Sequence, residues 1–326
     1  MSNQPLAKLG TIALVTGATR GIGKGIALQL GEAGATVYIT GRTLKAKDGS
    51  LGSLEETANE IRSRGGKCVI MQIDHENDAE IARLFQQIDS EQNGRLDILV
   101  NNAYKGVNSI FENSSLKFWE IKPEIWDDIN NVGLRNHYLC TVYAARLMTA
   151  RKQGLIINIS SFGGVRYIFN AAYGIGKAAC DRMAVDCGIE LRKSNVAMLS
   201  LYPGAVRTEL VTHLIKSTTD KTVKSGKMNM KDMFEKGESI EFAGKIVVAM
   251  AQDPSIMKLS SKVVIGADYA YEKGIKDIDN RIITSIRQVK GILEMVLPPK
   301  LQFLANFVPG FIKIPKFMLA LLNSKF

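Results

Sequence analysis

Residues 11–30, TIALVTGATRGIGKGIALQL, constrain the fold more than any other stretch. Residues 11–15 are apolar and β-branched, the composition of a buried strand. Ile22, Ile26, Ala27 and Leu30 then recur at helical spacing, with Gly17, Gly21 and Gly23 between the two patterns. A strand, a glycine turn and a helix start make a phosphate site. Glycines let the backbone approach a pyrophosphate, and the first helical turn offers unpaired N–H groups at the positive end of its dipole. Gly17, Thr19, Arg20, Gly21, Ile22 and Gly23 are therefore the expected cradle for a dinucleotide. The spacing is T-G-x-x-x-G-x-G rather than G-x-G-x-x-G. A plain glycine-containing turn is the alternative, and the flanking strand and helix argue against it.

The same βα unit recurs down the chain. Strands are expected at 36–40, 67–73, 96–100, 154–159, 196–201 and 262–265, and helices at 54–64, 80–92, 123–149, 171–193 and 240–251. Strict alternation with short connections implies a parallel sheet, helices on both faces and right-handed crossovers. The expected fold is one α/β domain over residues 1–274, a single doubly wound, Rossmann-like sheet. Residues 105–122 read as a polar loop. Residues 212–238, rich in lysine and methionine, interrupt the alternation as a segment over the substrate, and 275–326 form an apolar, basic C-terminal extension.

Two arginines bear on which dinucleotide binds. The second strand ends Thr40–Gly41–Arg42, with no carboxylate before Asp48 to hold the ribose hydroxyls. Arg20 lies inside the glycine turn. Guanidinium forks match an adenosine 2′-phosphate through paired, charge-assisted bonds. One such bond is worth roughly 1.5–3 kcal/mol, so NADP(H) is expected with about a ten- to hundredfold preference. The alternative is that both arginines solvate surface loops.

The net charge of +10 suits a phosphate-rich cofactor or an anionic membrane surface. Nucleic acid is not expected, since no zinc knuckle, basic helix or aromatic-interleaved basic patch is present. Cys68, Cys140, Cys180 and Cys187 form no C-x-x-C pair and read as buried free thiols of a reducing compartment. No secretory h-region precedes the first strand, and no apolar run approaches the ~20 residues of a span.

Tyr173 and Lys177 stand four residues apart on one helix face, and Ser161 stands at the C-terminal end of the preceding strand. Ligands of open α/β sheets bind at that edge. An ammonium and an oxidised nicotinamide both favour phenolate, which predicts a lowered Tyr173 pKa. With Asn101–Asn102–Ala103 and Pro203–Gly204, these motifs resemble the short-chain dehydrogenase/reductase family over most of the catalytic core.

The resemblance implies hydride transfer between NADP(H) and a carbonyl/alcohol pair. In it Ser161 holds the carbonyl oxygen, Tyr173 protonates it, and Lys177 tunes Tyr173 and holds the nicotinamide ribose. Asp74 is expected to face the adenine and Asn101 the adenosine half. Pro203, Gly204, Val206 and Thr208 are expected to border the nicotinamide. The implied substrate is a small apolar ketone or aldehyde, steroid-, retinoid- or xenobiotic-like, and the implied assembly a homo-oligomer. The rival reading is an NADP(H)-binding sensor or membrane scaffold without turnover.

Two positions depart from the family pattern. Gly133 stands where the family has an asparagine that holds a relay water, with Asn130 and Asn136 as substitutes on the same face. Tyr104 replaces the glycine usual after Asn–Asn–Ala. His75, His137 and His213 lack metal-ligand spacing and read as structural, and no metal is expected. Phe118 and Trp119 either line the cleft or pin their loop, and Met228, Met230 and Met233 either cover an apolar ligand or belong to a plain loop. Residues 292–326 carry four prolines and Lys300, Lys313, Lys316 and Lys325 among apolar residues. They suit a membrane interface or pack back on the domain. The expected location is the cytoplasmic side, with peripheral attachment to the endoplasmic reticulum membrane as one option. Ser324–Lys325–Phe326 makes the peroxisome a weaker one, because its last residue departs from Ser–Lys–Leu.

Overall fold

The structure is a computed structural model describing residues 10–46, 50–217, 224–225, 228–229, 234–235, 237–297 and 299–321. Strand β1 (Ile12–Val15) shows why the sheet is covered on both faces. Ala13 and Val15 belong to one apolar cluster, while Ile12 and Leu14 belong to the other. A run that is apolar at every position buries both faces, as parallel strands between helical layers do.

The first half alternates β1, α1 (Gly21–Glu32), β2 (Thr36–Gly41), α2 (Leu54–Ser63), β3 (Lys67–Gln72), α3 (Asp78–Glu91) and β4 (Ile98–Asn101). After α4 (Val107–Glu112) come α5 (Ile125–Asn130), a π-helical turn Asn131–Arg135, α6 (Asn136–Arg151), β5 (Gly154–Ile159), α7 (Ala171–Leu191) and β6 (Val196–Tyr202). The chain continues through α8 (Glu209–Ser217), a hairpin of β7 (Lys224–Ser225) and β8 (Met228–Asn229), α9 (Ile240–Ala251), β9 (Val263–Ile265), α10 (Gly266–Lys273), α11 (Val289–Val296) and α12 (Lys316–Leu321). Seven strands pair in parallel in the order β3-β2-β1-β4-β5-β6-β9. The winding reverses between β1 and β4, whose register sets Ala13 opposite Ile98. At such a reversal, loops diverge from the C-terminal strand ends and leave a ligand crevice. The expected single doubly wound sheet is therefore observed.

One helical layer packs without side chains at its closest point. A methyl at Gly25 of α1 would sit 1.9 Å from the Ile240 carbonyl oxygen of α9, and one at Gly244 would sit 2.5 Å from the Gly25 carbonyl oxygen. These glycines let the two helices touch backbone to backbone.

The structure departs from expectation between β4 and β5. The loop at 105–122 contains α4, and the helix expected at 123–149 is broken by the π-helical turn centred on Gly133. Glycine weakens the regular helix there, and such turns occur often at functional sites. The four cysteines are free, Cys140 and Cys180 fully buried. Met230 and Met233, like the side chain of Met228, lie outside the described residues.

The chain beyond α10 stays on the body. Arg287 meets Asp268 at 2.7 Å, Lys313 meets the same carboxylate at 3.0 Å, and Gln288 donates to the Gly310 carbonyl at 2.7 Å. Ala305 is fully buried. Lys313 is thus committed to Asp268 and Glu272, which corrects its expected place among the headgroup-facing charges. Among the described residues no helix is long and apolar enough to cross a membrane.

Candidate active site

The glycine turn is built to keep its floor bare. Gly17 has φ +69°, and a methyl there would lie 2.6 Å from Ala103 Cα. At Gly23 it would lie 2.3 Å from both Asn102 Nδ2 and the Gly17 carbonyl oxygen. Asn102 fixes the turn by donating to the Thr16 and Gly17 carbonyls, each at 2.9 Å. Thr19 packs against Gly41 and Gly52, where added methyls would come within 2.7 Å of Thr19 Cγ2 and 2.4 Å of its carbonyl oxygen. Ile22 packs its side chain on the apolar cluster, so only its backbone faces the cradle.

The first amide of α1 already has an anion. The N–H of Gly21 donates to Glu209 Oε2 at 2.8 Å, and a methyl at Gly21 would lie 3.3 Å from Thr208 Cγ2. Thr208 and Glu209 are thereby brought against the glycine turn. Burial lowers the Arg20 pKa, with Glu209 raising it and Arg42 lowering it further. Glu209 had no signal of its own in the sequence.

At the far end of the cradle a cavity of about 550 Å³ is lined by Arg42, Gln72, Asp74, Glu80 and Arg83 among others. It opens at the C-terminal ends of β2 and β3. Asp74 accepts from the Glu76 N–H at 3.0 Å and lines this cavity. Arg83, on α3, is a second guanidinium there that a surface helix position gave no reason to single out. Asn101, expected at the adenosine half, spends its amide nitrogen inside the protein. Its side chain is fully buried and its Nδ2 donates to Thr141 Oγ1 and Asn158 Oδ1, each at 2.9 Å, while its Oδ1 finds no hydrogen-bond partner among the described residues.

Ser161, Tyr173 and Lys177 converge at the end of β5. Asn170 caps α7 by accepting from the Tyr173 N–H at 2.9 Å. Lys177 Nζ donates to the Ile159 carbonyl at 2.9 Å, and Ser160 Oγ donates to the Lys177 carbonyl at 3.2 Å. These bonds hold α7 against the strand end. Ser161 Oγ accepts from the Gly163 N–H at 2.9 Å, and a methyl at Gly163 would lie 2.4 Å from the Tyr173 ring and 3.3 Å from Ser161 Oγ. The glycine therefore lets the phenol ring lie against the serine turn.

Burial pushes the Tyr173 phenol up to about 12, with Ser161 lowering it and Cys180 and Asp181 raising it. In the chain without its dinucleotide the shift is thus opposite in sign to the one expected beside an ammonium and an oxidised nicotinamide. Lys177 is itself desolvated, its pKa lowered mainly by burial, and its ammonium bonds to Ile159 instead. The phenol is thus a protonated acid, the form that a carbonyl reduction uses.

The departures at 104 and 133 prove to be one feature. A methyl at Gly133 would lie 2.7 Å from two Tyr104 ring carbons, so the tyrosine fills the space that the glycine leaves. Of the expected substitutes, Asn136 is committed to His75 Nδ1 at 2.6 Å. Asn130 abuts Gly176, beside Lys177, where a methyl would lie 2.1 Å from its Oδ1. His75 and His137 are buried, and burial lowers their pKa to about 4 and about 3. His213 is exposed. Phe118 and Trp119 are both exposed and stack edge to face at 5.1 Å, so they do not pin their loop to the body.

Glu238 escaped the sequence reading, being one acid in a charged segment. It is buried beneath the loop after β6, with Oε2 2.9 Å from where a Gly204 Cβ would stand. Burial raises its pKa to about 8, with the Gly204 backbone lowering it and Asp277 raising it. Between its ordinary value and about 8 the folded state holds a proton that the unfolded chain has lost, so stability falls as pH rises through that window. Thermal melts at several pH values check this. Wild type should lose stability from about pH 5 to about pH 8.5, and Glu238→Gln should flatten that slope and melt higher at the alkaline end.

Comparison with known proteins agrees with this architecture. The short chain dehydrogenase family matches residues 11–219. The mouse protein Dehydrogenase/reductase SDR family member 1 is 50% identical over 318 residues, covering 97% of this chain and 98% of its own. Its human counterpart is 48% identical over 320 residues, with the same coverage of 97% and 98%. A metagenomic short-chain oxidoreductase solved in complex with NADP superimposes with a TM-score of 0.59 at 26% identity, covering 80% of this chain and 99% of that one. The chain belongs to the short-chain dehydrogenase/reductase family, oxidoreductases that work with a nicotinamide dinucleotide.

Proposed function

We propose that the protein is an NADPH-dependent reductase of small apolar ketones or aldehydes. The observation that carries this is the convergence of Ser161, Tyr173 and Lys177 at the strand edge beside a bare glycine turn. The turn at Gly17, Thr19, Gly21 and Gly23 fits a pyrophosphate, because its glycines carry no Cβ and only the Glu209 carboxylate, which accepts from the Gly21 N–H, would have to give way. Arg20 and Arg42 would hold an adenosine 2′-phosphate, Asp74 would lie at the adenine end, and Pro203, Gly204, Val206 and Thr208 would border the nicotinamide. The dinucleotide, when bound, supplies the hydride. Ser161 holds the carbonyl oxygen by donating its hydroxyl proton, and Tyr173 delivers its phenolic proton to the same oxygen. Lys177 offers its ammonium to the ribose and stabilises the phenolate left behind. A carbonyl panel run with NADPH and with NADH tests this. Turnover of apolar ketones with NADPH is expected, and no turnover across the panel favours the sensor reading. Arg42→Ala should narrow the NADPH preference by about ten- to a hundredfold in kcat/KM, and equal loss with both dinucleotides would place the arginine elsewhere.

We further propose that the extension meets a membrane surface from the cytoplasmic side, as on the endoplasmic reticulum. Phe303, Phe307, Phe311 and Phe317 are all exposed on a segment that Asp268 and Gln288 tie to the body. Flotation with vesicles containing anionic lipid should carry the wild-type chain upward, and the pair Phe307→Ser and Phe311→Ser should abolish it. A self-associating homo-oligomer is the alternative use of that surface, and light scattering of the same pair reads it.

A further inference from the structure

Tyr104 follows directly on the Asn101–Ala103 turn, whose Ala103 touches Gly17. Its ring does three things at once. It occupies the space over Gly133, within the π-helical turn that the Cys180 thiol tethers to α7 by donating to the Gly133 carbonyl at 3.3 Å. It lies 4.9 Å from the Lys177 ammonium, within reach of a cation–π attraction. It meets the Tyr173 ring edge to face, with centroids 6.2 Å apart. Its hydroxyl, by contrast, is buried and finds no hydrogen-bond partner among the described residues. The ring is used and the hydroxyl is not.

We propose that Tyr104 is a positioning residue: its ring, seated in the space that Gly133 leaves, holds the ammonium of Lys177 beside the Tyr173 phenol. This rests on the reductase reading for its consequence in turnover, but its physical content stands in the cofactor-free chain. Among the described residues the Lys177 ammonium donates one hydrogen bond, to Ile159, and the aromatic face supplies a second, directional restraint. The desolvated site strengthens that attraction, since water cannot compete for the ammonium. Cys180 and Asp181 on its own helix and His137 on α6 act on Lys177, and Tyr173 stands one turn before it on the same helix. Cys180 and Asp181 raise the Lys177 pKa, while His137, held at about 3, is neutral where Lys177 titrates.

The test follows the Lys177 side-chain titration by NMR on the full, cofactor-free chain carrying 13C-labelled lysine, with the signal assigned by its loss in Lys177→Met. Tyr104→Phe keeps the ring and should titrate as wild type. Tyr104→Leu keeps the apolar surroundings but removes the aromatic face, and should lower the Lys177 pKa by about one unit, a tenfold change in its acid constant. Gly133→Ala, which crowds the ring at 2.7 Å, should move the titration in the same direction with Tyr104 intact. An unchanged Lys177 titration in either folded variant overturns the proposal, as does a Tyr104→Phe variant that shifts as far as Tyr104→Leu. In turnover, Tyr104→Leu should reduce kcat about tenfold, leave KM for the carbonyl near wild type, and move the limb of the alcohol-oxidation profile to higher pH. If the wild-type chain reduces no carbonyl while the Lys177 shift is present, the reductase reading fails and this one stands.

Discussion

Tyr173→Phe should reduce kcat for carbonyl reduction by about 10²–10⁴-fold while leaving dinucleotide affinity near wild type, because a positioned proton donor contributes that much. The substitution removes one oxygen and keeps the ring. The edge-to-face contacts with Phe169 at 5.1 Å and Tyr104 at 6.2 Å therefore persist, as does the Asn170 cap, which uses the backbone of residue 173. Any loss thus reports chemistry rather than folding. Burial that holds the phenol near 12 also sets the pH behaviour. In the reductive direction the acid stays protonated across the physiological range, so activity should be flat there and should not fall until the alkaline limb is reached. Steady-state rates of the two proteins, over a series of buffers at saturating NADPH, decide the matter. Equal rates would remove Tyr173 from the reaction.

Gly25→Ala should be the most damaging single methyl in the sheet's support. The added carbon would stand 1.9 Å from the Ile240 carbonyl oxygen and 2.8 Å from the Glu241 amide nitrogen. The obstacle is backbone on α9, which no rotamer change can relieve, so α1 and α9 must separate along their contact. Overpacking costs ~1–3 kcal/mol where side chains give way, and more where they cannot. A loss of at least about 3 kcal/mol corresponds to a fall of roughly 4–5 °C or more in Tm for a chain of 326 residues. Gly174→Ala provides the contrast. That methyl meets nothing nearer than the Gly163 carbonyl oxygen at 3.3 Å, and it should leave Tm within about 1 °C of wild type. Because α1 also opens the phosphate turn, Gly25→Ala should weaken dinucleotide binding in whatever fraction remains folded.

The contrast between these two glycines shows what a sequence can carry. The strands were legible because each is apolar on both faces, as β1 demonstrates by feeding two clusters from alternate residues. Likewise the triad's grouping followed from one helical spacing and one strand end. What escaped depends on pairs remote in the chain. Tyr104 and Gly133 read as two unrelated departures until the ring was seen over the glycine. The π-helical turn leaves no periodic signature, and it surfaces where 123–149 was read as one helix. Asn101 looked available to a ligand, but only the fold shows Thr141 and Asn158 claiming its amide. Lys313 looked free for a headgroup until Asp268 was placed beside it.

The Glu209 carboxylate on the Gly21 amide has a further consequence for how affinity should be understood. That N–H serves one acceptor at a time, so in the proposed binding mode a dinucleotide would not dock onto a dry, waiting donor but would trade places with a resident acid. A dissociation constant measured for it would then report the difference between two anions competing for one backbone hydrogen. It also means that releasing spent product never strands that amide without a partner, since the protein carries its own replacement.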